Sequence, residues 1–220
     1  MESTQIIAAA LLLEDATVGV VYAHEQVQGK GRFDRVWVSR EGDSLTFSLI
    51  FRAYADHPKP YLVGMAAGLA VARTIGCRLR WPNDLTFDGL KVGGILTQLL
   101  PDAMGRKVPV VGIGLNLNQT GFPPEIAEIA TSLHLVTRET YLPEQIAQRI
   151  VEAFSSLPEP DHWVNLAQAW AEYDATPGKQ YRLASGETSI AERIGPDGEL
   201  ICTVNGMPRT VMAAEAIFGA

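Results

Sequence analysis

The segment Gly29-Lys30-Gly31-Arg32-Phe33-Asp34-Arg35-Val36-Trp37 puts three cations and two glycines on a stretch too polar to enter a core. Any fold of this chain must therefore carry it as a loop between buried elements. Glycine lets a backbone reach positive φ and approach a ligand closely, and Lys and Arg side chains neutralise a phosphate or carboxylate once they are desolvated. The segment reads as a loop that closes over an anion, with a solvated basic turn as the alternative. Two further segments favour the first reading: Arg80-Trp81-Pro82-Asn83-Asp84, and Lys91-Val92-Gly93-Gly94-Ile95-Leu96 leading into an apolar strand.

The hydropathy pattern around these segments predicts an α+β chain. Gln5 to Leu13 reads as a helix capped by Ser3 or Thr4, and Val18 to Ala23 as a buried strand. Ser44 to Arg52 alternates Leu45, Phe47, Leu49 and Phe51 on one side, the period of a strand. Pro60 to Gly76 reads as a helix that starts at proline and stops at glycine. Asp88-Gly89 between Leu85-Thr86-Phe87 and Leu90 to Leu100 is a short hairpin signal that sets Lys91 at a strand start. Lys107 to Asn118 continues as a strand, opened at Gly112 and Gly114 where a ligand or another backbone comes close. After a weak stretch with Pro123-Pro124, Leu142 to Leu157 and Trp163 to Tyr173 read as amphipathic helices separated by Pro158-Glu159-Pro160. Beyond Pro177-Gly178 the texture changes to short strands at Gln180 to Ala184, Thr188 to Ile194, Glu199 to Val204 and Arg209 to Ala213, the spacing of a small barrel or sheet.

Composition narrows the function class. A chain of 220 residues is long enough for one sizeable core and a small appended unit. Ile6 to Leu13 is too short to span a membrane and no charged-then-apolar leader precedes it, so no membrane association is expected and the chain reads as cytoplasmic. A net charge of −7 speaks against a nucleic-acid partner, which needs a basic face. Cys77 and Cys202 lie far apart in apolar settings and read as core thiols, and the four histidines show no ligand spacing.

The ordered set Ser3-Thr4-Gln5, Gln26, Gly29-Lys30-Gly31-Arg32, Trp37, Arg80-Trp81-Pro82-Asn83-Asp84, Lys91-Val92-Gly93-Gly94 and Gly112-Ile113-Gly114-Leu115-Asn116 resembles the biotin protein ligases. The resemblance covers Ser3 to about Asn118 in motifs and the rest more loosely. It implies a class II synthetase-like, biotin/lipoate ligase catalytic domain over residues 1–173 and a C-terminal SH3-like β domain over 174–220. It further implies activation of biotin by ATP, with Mg²⁺, to biotinyl-5′-AMP, and transfer to a lysine of a biotin carboxyl carrier domain, by a monomer or homodimer. Some members of the family carry an N-terminal helix-turn-helix; with the first motif at Ser3, neither that element nor a DNA-binding role is expected.

Joining a carboxylate to the α-phosphorus brings two anions together, so the site must hold cations in place before reaction. Lys91, Lys30 and Arg32 are the candidates, and by resemblance Lys91 contacts both the biotin carboxylate and the phosphate while Arg32 retains the adenylate. Asp84 is expected to hold Mg²⁺ or to orient the incoming lysine, a turn residue after Pro82 being the bland alternative. Ser3, Thr4, Gln5 and Gln26 match the positions that bind the ureido head, with Lys30, Gly31, Arg32 and Lys91 nearby and Gly93 and Gly94 letting backbone lie against the ring. Gly29, Lys30, Arg32, Trp37, Asn83, Lys91 and Asn116 are the expected ATP or adenylate contacts, Trp37 near the adenine and Asn116 at its edge.

The chain departs from the family pattern in carrying Gln5 for asparagine, Gln28 for a small residue, Lys30 for arginine, Asp34 for glycine and Arg80 for lysine. Lysine does not replace a bidentate arginine, and an aspartate in an anion-binding loop subtracts charge. The first motif lies at Ser3, so the strand that usually precedes it is expected either upstream of Met1 or missing from the first pocket wall. Three alternatives stay open: a lipoate or octanoate ligase of the same fold, a non-catalytic biotin-binding module, which the residues at Lys30 and Asp34 keep in view, and, last, a transcriptional co-repressor.

Overall fold

In the computed structural model, residues 1–14, 16–213 and 216–218 are described, apart from the side chains of Asp34 and of 216–218. The chain opens with α1 (Thr4–Leu13), capped by Ser3, whose Oγ accepts from the backbone N–H of Gln5. Next come β1 (Val20–Ala23), the cationic loop with a turn at Arg32–Asp34 that Phe33 kinks at φ 55, β2 (Ser44–Ile50) and α2 (Tyr61–Ile75). Four further elements complete the first half: β3 (Arg78–Arg80), β4 (Asp84–Phe87), β5 (Leu90–Pro101) and β6 (Lys107–Asn116). These strands form one sheet in the order β1-β2-β6-β5-β4-β3, every pair antiparallel. The helices α3 (Leu133–Thr137), α4 (Pro143–Ser155) and α5 (Trp163–Tyr173) follow. A second antiparallel sheet ends the chain: β7 (Gln180–Leu183), β8 (Thr188–Ile194), β9 (Leu200–Val204), β10 (Met207–Val211) and β11 (Ala216–Phe218), ordered β10-β9-β8-β7-β11. The α+β class expected from the pattern is the one observed.

The large sheet buries both faces differently. Leu45, Phe47 and Leu49 of β2 with Val111, Ile113 and Leu115 of β6 face α2, which is buried without interruption from Leu62 to Ala72 and packs between the sheet and α4 and α5. A helix apolar all round is what such a sandwiched position requires. Small residues set its distance from the sheet: a Cβ on Gly64 would lie 2.1 Å from Thr97 Oγ1. On the opposite face α1 covers Val21, Ile50, Val108 and Val110 through Ala8 and Leu12. This helix stops short of the strands' far ends, and the face left beyond its N-terminus carries Ser44, Gly112, Gly114 and Asn116.

Local signals explain most boundaries. Gly76 caps α2 at φ 74, and Asp88 (φ 49) with Gly89 (φ 84) turns β4 into β5, both central residues left-handed as a two-residue hairpin demands. Two strands were not foreseen, β3 and β11, and β2 ends at Ile50 because Arg52–Tyr54 closes a 3₁₀ turn. The last expected strand, Arg209 to Ala213, shifts to Met207–Val211, since Asn205 (φ 50) and Gly206 (φ 79) make a tight turn that pairs Met207 with Val204 at once.

Candidate active site

The exposed end of the second face is a cavity of about 820 Å³, within the range of small-molecule sites. One end is polar and buried. Gln26 Oε1 accepts from the backbone N–H of Thr4 at 2.7 Å and from its hydroxyl at 3.1 Å, and Ser48 Oγ donates to Thr4 Oγ1 at 2.8 Å. The Gln26 backbone N–H donates to Ser39 Oγ at 2.9 Å. Ser3, Thr4, Gln5 and Gln26, expected to act together, all line this end. Gln5 crosses the sheet face: its Nε2 donates to Leu96 O at 3.1 Å, and a Cβ on Gly112 would lie 2.6 Å from that nitrogen. Glycine at 112 is what admits the glutamine. Its Oε1 is buried without a hydrogen-bond partner among the described residues, as are Trp37 Nε1 and Gln119 Oε1; a ligand with hydrogen-bonding groups fits such a lining.

The loop from Gly29 to Trp37 folds over the cavity. Trp37 N–H donates to Gly29 O, Gly31 N–H to Arg35 O, and Lys30 bridges Val36. The Trp37 indole lies on Gly114, where a Cβ would come within 2.6 Å of Cε2. Lys30, Gly31, Arg32 and Trp37 line the cavity as expected. Gly29, expected as an ATP contact, does not; it is buried under the Trp37 carbonyl, 2.1 Å from where its Cβ would stand, and glycine there lets the loop close. Arg32 is anchored by Asn83 Oδ1 at 3.1 Å and by Ala213 O, with Phe33, at φ 55, stacked 4.7 Å beneath its guanidinium. Burial lowers the Arg32 pKa, and the nearby Asp84 charge acts against that shift.

The reactive end sits on the β4–β5 hairpin. Alternation would place Lys91 on the same side as Gly93, toward the core. A bulge between Leu85 and Thr86 of β4 puts an extra residue, Val92, on β5 and turns Lys91 to the cavity side with Gly94, whose Cβ would lie 3.5 Å from Lys91 Cε. Gly93, expected beside Gly94, does not line the cavity: a Cβ there would meet Gly114 O and Leu115 Cδ2 at 2.5 Å, so glycine at 93 permits the cross-strand packing. Lys91 Nζ pairs with Asp84 Oδ1, and Arg80 Nη2 holds Asp84 Oδ2 at 2.9 Å. Burial alone would raise the Asp84 carboxyl, but the charge and hydrogen bond of Lys91, joined by those of Arg80, outweigh it and hold the group below the usual carboxylate range. With both oxygens committed to cations, the Asp84 carboxylate as it stands does not fit the Mg²⁺ expected there.

Two expected nucleotide contacts are committed to the protein. Asn83 bridges Arg32 and β5, its Nδ2 donating to Ile95 O at 2.9 Å. Asn116 lines the cavity floor and donates to Thr131 O at 3.0 Å. The sequence reading named Arg80 in its motif without giving it a role, and it missed Ser39 and Gln119 as site residues. Arg80 is 7% exposed, which no local pattern announces, and Gln119 reaches Ser44 Oγ at 2.9 Å from a loop without periodicity.

A sheet backed by helices on one face, with a cation-rimmed cavity on glycine-bearing strands of the other, defines an α+β domain built to hold an anionic small molecule. The model of the biotin/lipoate A/B protein ligase family matches residues 3–118, just over half of the chain, and the chain belongs to that family. It is 36% identical over 163 residues to the bifunctional ligase/repressor BirA of Bacillus subtilis, an alignment covering 70% of this chain and 50% of that protein. The chain thus spans about half the length of such relatives. With the biotin–[acetyl-CoA-carboxylase] ligase of Paracoccus denitrificans it shares 28% identity over 90% of each chain. The fold is also that of the biotin protein ligase from Aquifex aeolicus solved with biotin and ATP, at TM-score 0.73 and 22% identity, covering 98% of this chain and 94% of that one. No described helix is long and apolar enough to cross a membrane.

Proposed function

We propose that this chain is an ATP-dependent biotin protein ligase. The observation that carries the reading is the bipolar cavity: a buried hydroxyl and amide cluster at Thr4, Gln5 and Gln26 suits a ureido head, and Lys91 at the other end suits a carboxylate meeting a phosphate. The relatives named biotin–[acetyl-CoA-carboxylase] ligase, one of them from Mycobacterium tuberculosis at 28% identity over 98% of this chain, support it. In the first step a biotin carboxylate oxygen attacks the α-phosphorus, the bond to pyrophosphate breaks, and biotinyl-5′-AMP forms. Lys91, fixed by Asp84, neutralises the two anions as they meet, and Arg32 closes the loop over the product. In the second, an amine of a carrier-domain lysine attacks the acyl carbon, AMP leaves, and the surplus proton goes to solvent. Asp84 orients Lys91, and no step is assigned to a metal at this residue.

The test is pyrophosphate release from ATP on adding biotin, octanoate or lipoate, with biotin titrated calorimetrically in parallel. Release with biotin alone supports the ligase. Release only with the fatty acids moves the assignment to the lipoate side of the family, and tight biotin binding without release leaves a binding module.

A further inference from the structure

The loop that carries Asp84, the partner of Lys91, is itself held from the small sheet and from the segment that leads into it. Trp81, immediately before Pro82-Asn83-Asp84, is 1% exposed and has both backbone polar groups bound by side chains from beyond α5. Its N–H donates to Thr176 Oγ1 at 2.9 Å, and its carbonyl accepts from Tyr181 Oη at 2.5 Å. Its indole Nε1 donates to Gly198 O at 3.0 Å, and its ring meets that of Tyr181 edge-on with centroids 5.8 Å apart. Thr176 and Tyr181 are themselves buried, at 0% and 1% exposure. From Trp81 the connection to the chemistry is short: Asn83 O accepts from Ile95 N–H at 2.9 Å, and Asp84 holds Lys91. A backbone grip placed three residues before the carboxylate fixes where that carboxylate stands, and sub-ångström displacement of a reacting group is costly.

Resting on the ligase reading, we infer that Thr176 and Tyr181 are positioning residues for adenylate formation. They set the Trp81–Asp84 loop, and through Asp84 the Lys91 ammonium, without touching either substrate. The segment from Thr176 to Tyr181, which leads into the small sheet, then positions the reactive loop through these two hydroxyls.

The experiment uses the full chain as Tyr181→Phe, Thr176→Val and Thr176→Ser, with Val204→Ala as a control for destabilising the same small sheet. Two readouts are taken well below each variant's Tm: steady-state pyrophosphate release, and hydrogen exchange of peptides covering residues 82–95. Tyr181→Phe and Thr176→Val are expected to lower kcat by about ten- to a hundredfold, with KM for biotin within about twofold of wild type because the ureido end is untouched. Exchange across 82–95 should accelerate in both. Thr176→Ser, which keeps the hydroxyl, should restore rate and protection, and Val204→Ala should change neither beyond its effect on Tm. Unchanged kcat and exchange in Tyr181→Phe and Thr176→Val, or equal losses in Val204→Ala, would overturn the inference. Absence of pyrophosphate release by wild type would instead sink the ligase reading, while the exchange data still decide whether the two hydroxyls hold the loop.

Discussion

Lys91 Nζ and Asp84 Oδ1 form an ion pair across the β4–β5 hairpin, and the pair faces the cavity only because Val92 bulges out of register. An ammonium so placed has little freedom to follow a substrate, which is the condition for electrostatic catalysis without reorganisation. Lys91→Ala should therefore lower pyrophosphate release by about a hundred- to a thousandfold, the usual cost of one charge-stabilising group. Lys91→Arg should also be impaired, since a planar fork does not reproduce a point charge. Calorimetry should show biotin still binding to Lys91→Ala. Undiminished turnover would remove Lys91 from the mechanism.

The same pair gives a pH dependence with a definite sign. The Asp84 carboxyl is held below its unfolded value, so its contribution to stability is present above the ordinary aspartate pKa of about 3.9 and is lost as pH falls through the lower native value. Thermal unfolding of wild type between about pH 6 and about pH 3 should show an acid limb that is flatter in Asp84→Asn. Parallel curves for the two proteins would refute the assignment of this limb to Asp84.

Gln26 ties the start of α1 to the strand that feeds the cationic loop. Its Oε1 takes two hydrogen bonds from Thr4 in a buried setting, so Gln26→Ala leaves a backbone N–H and a hydroxyl without that acceptor. The expected stability loss is about 1–3 kcal/mol, read from denaturant unfolding. A weaker biotin affinity should accompany it, because Thr4 lines the polar end of the cavity. Loss of stability with unchanged affinity would confine the network to a structural role.

What was legible in the chain was local. α5 spans the residues its periodicity marks, Gly76 stops α2, and Asp88-Gly89 turns the hairpin, because each depends on a few consecutive residues. The candidate site was legible as a set of motifs, and most of them do meet at one cavity. What escaped depends on distant partners. β3 is three residues long with two arginines, and it exists because β4 pairs with it. Gly93 and Gly94 look equivalent in sequence, yet the register sends one to Leu115 and the other to Lys91. Arg80 belongs to a recognisable motif, but its partner in the ion pair, Asp84, shows only once β3 and β4 are placed side by side.

The loop that opens the sequence argument is also the easiest to test by steric change. Alanine at Gly29 would set a Cβ 2.1 Å from the Trp37 carbonyl, and alanine at Gly114 would set one 2.6 Å from the Trp37 indole, so both push the loop's far end off the sheet. A backbone atom cannot yield as a flexible side chain does, which makes Gly29→Ala the more severe of the two. Gly19, with nothing within 4 Å of its would-be Cβ, is the matched control. Gly29→Ala and Gly114→Ala should weaken binding of biotin with ATP and speed tryptic cleavage after Arg32 and Arg35, while Gly19→Ala leaves both at wild-type levels. The loss should grow when ATP is present, because the loop's cations then have an anion to enclose. If all three variants bind and are cleaved alike, the loop does not close on Trp37 and the anion is held from the hairpin alone.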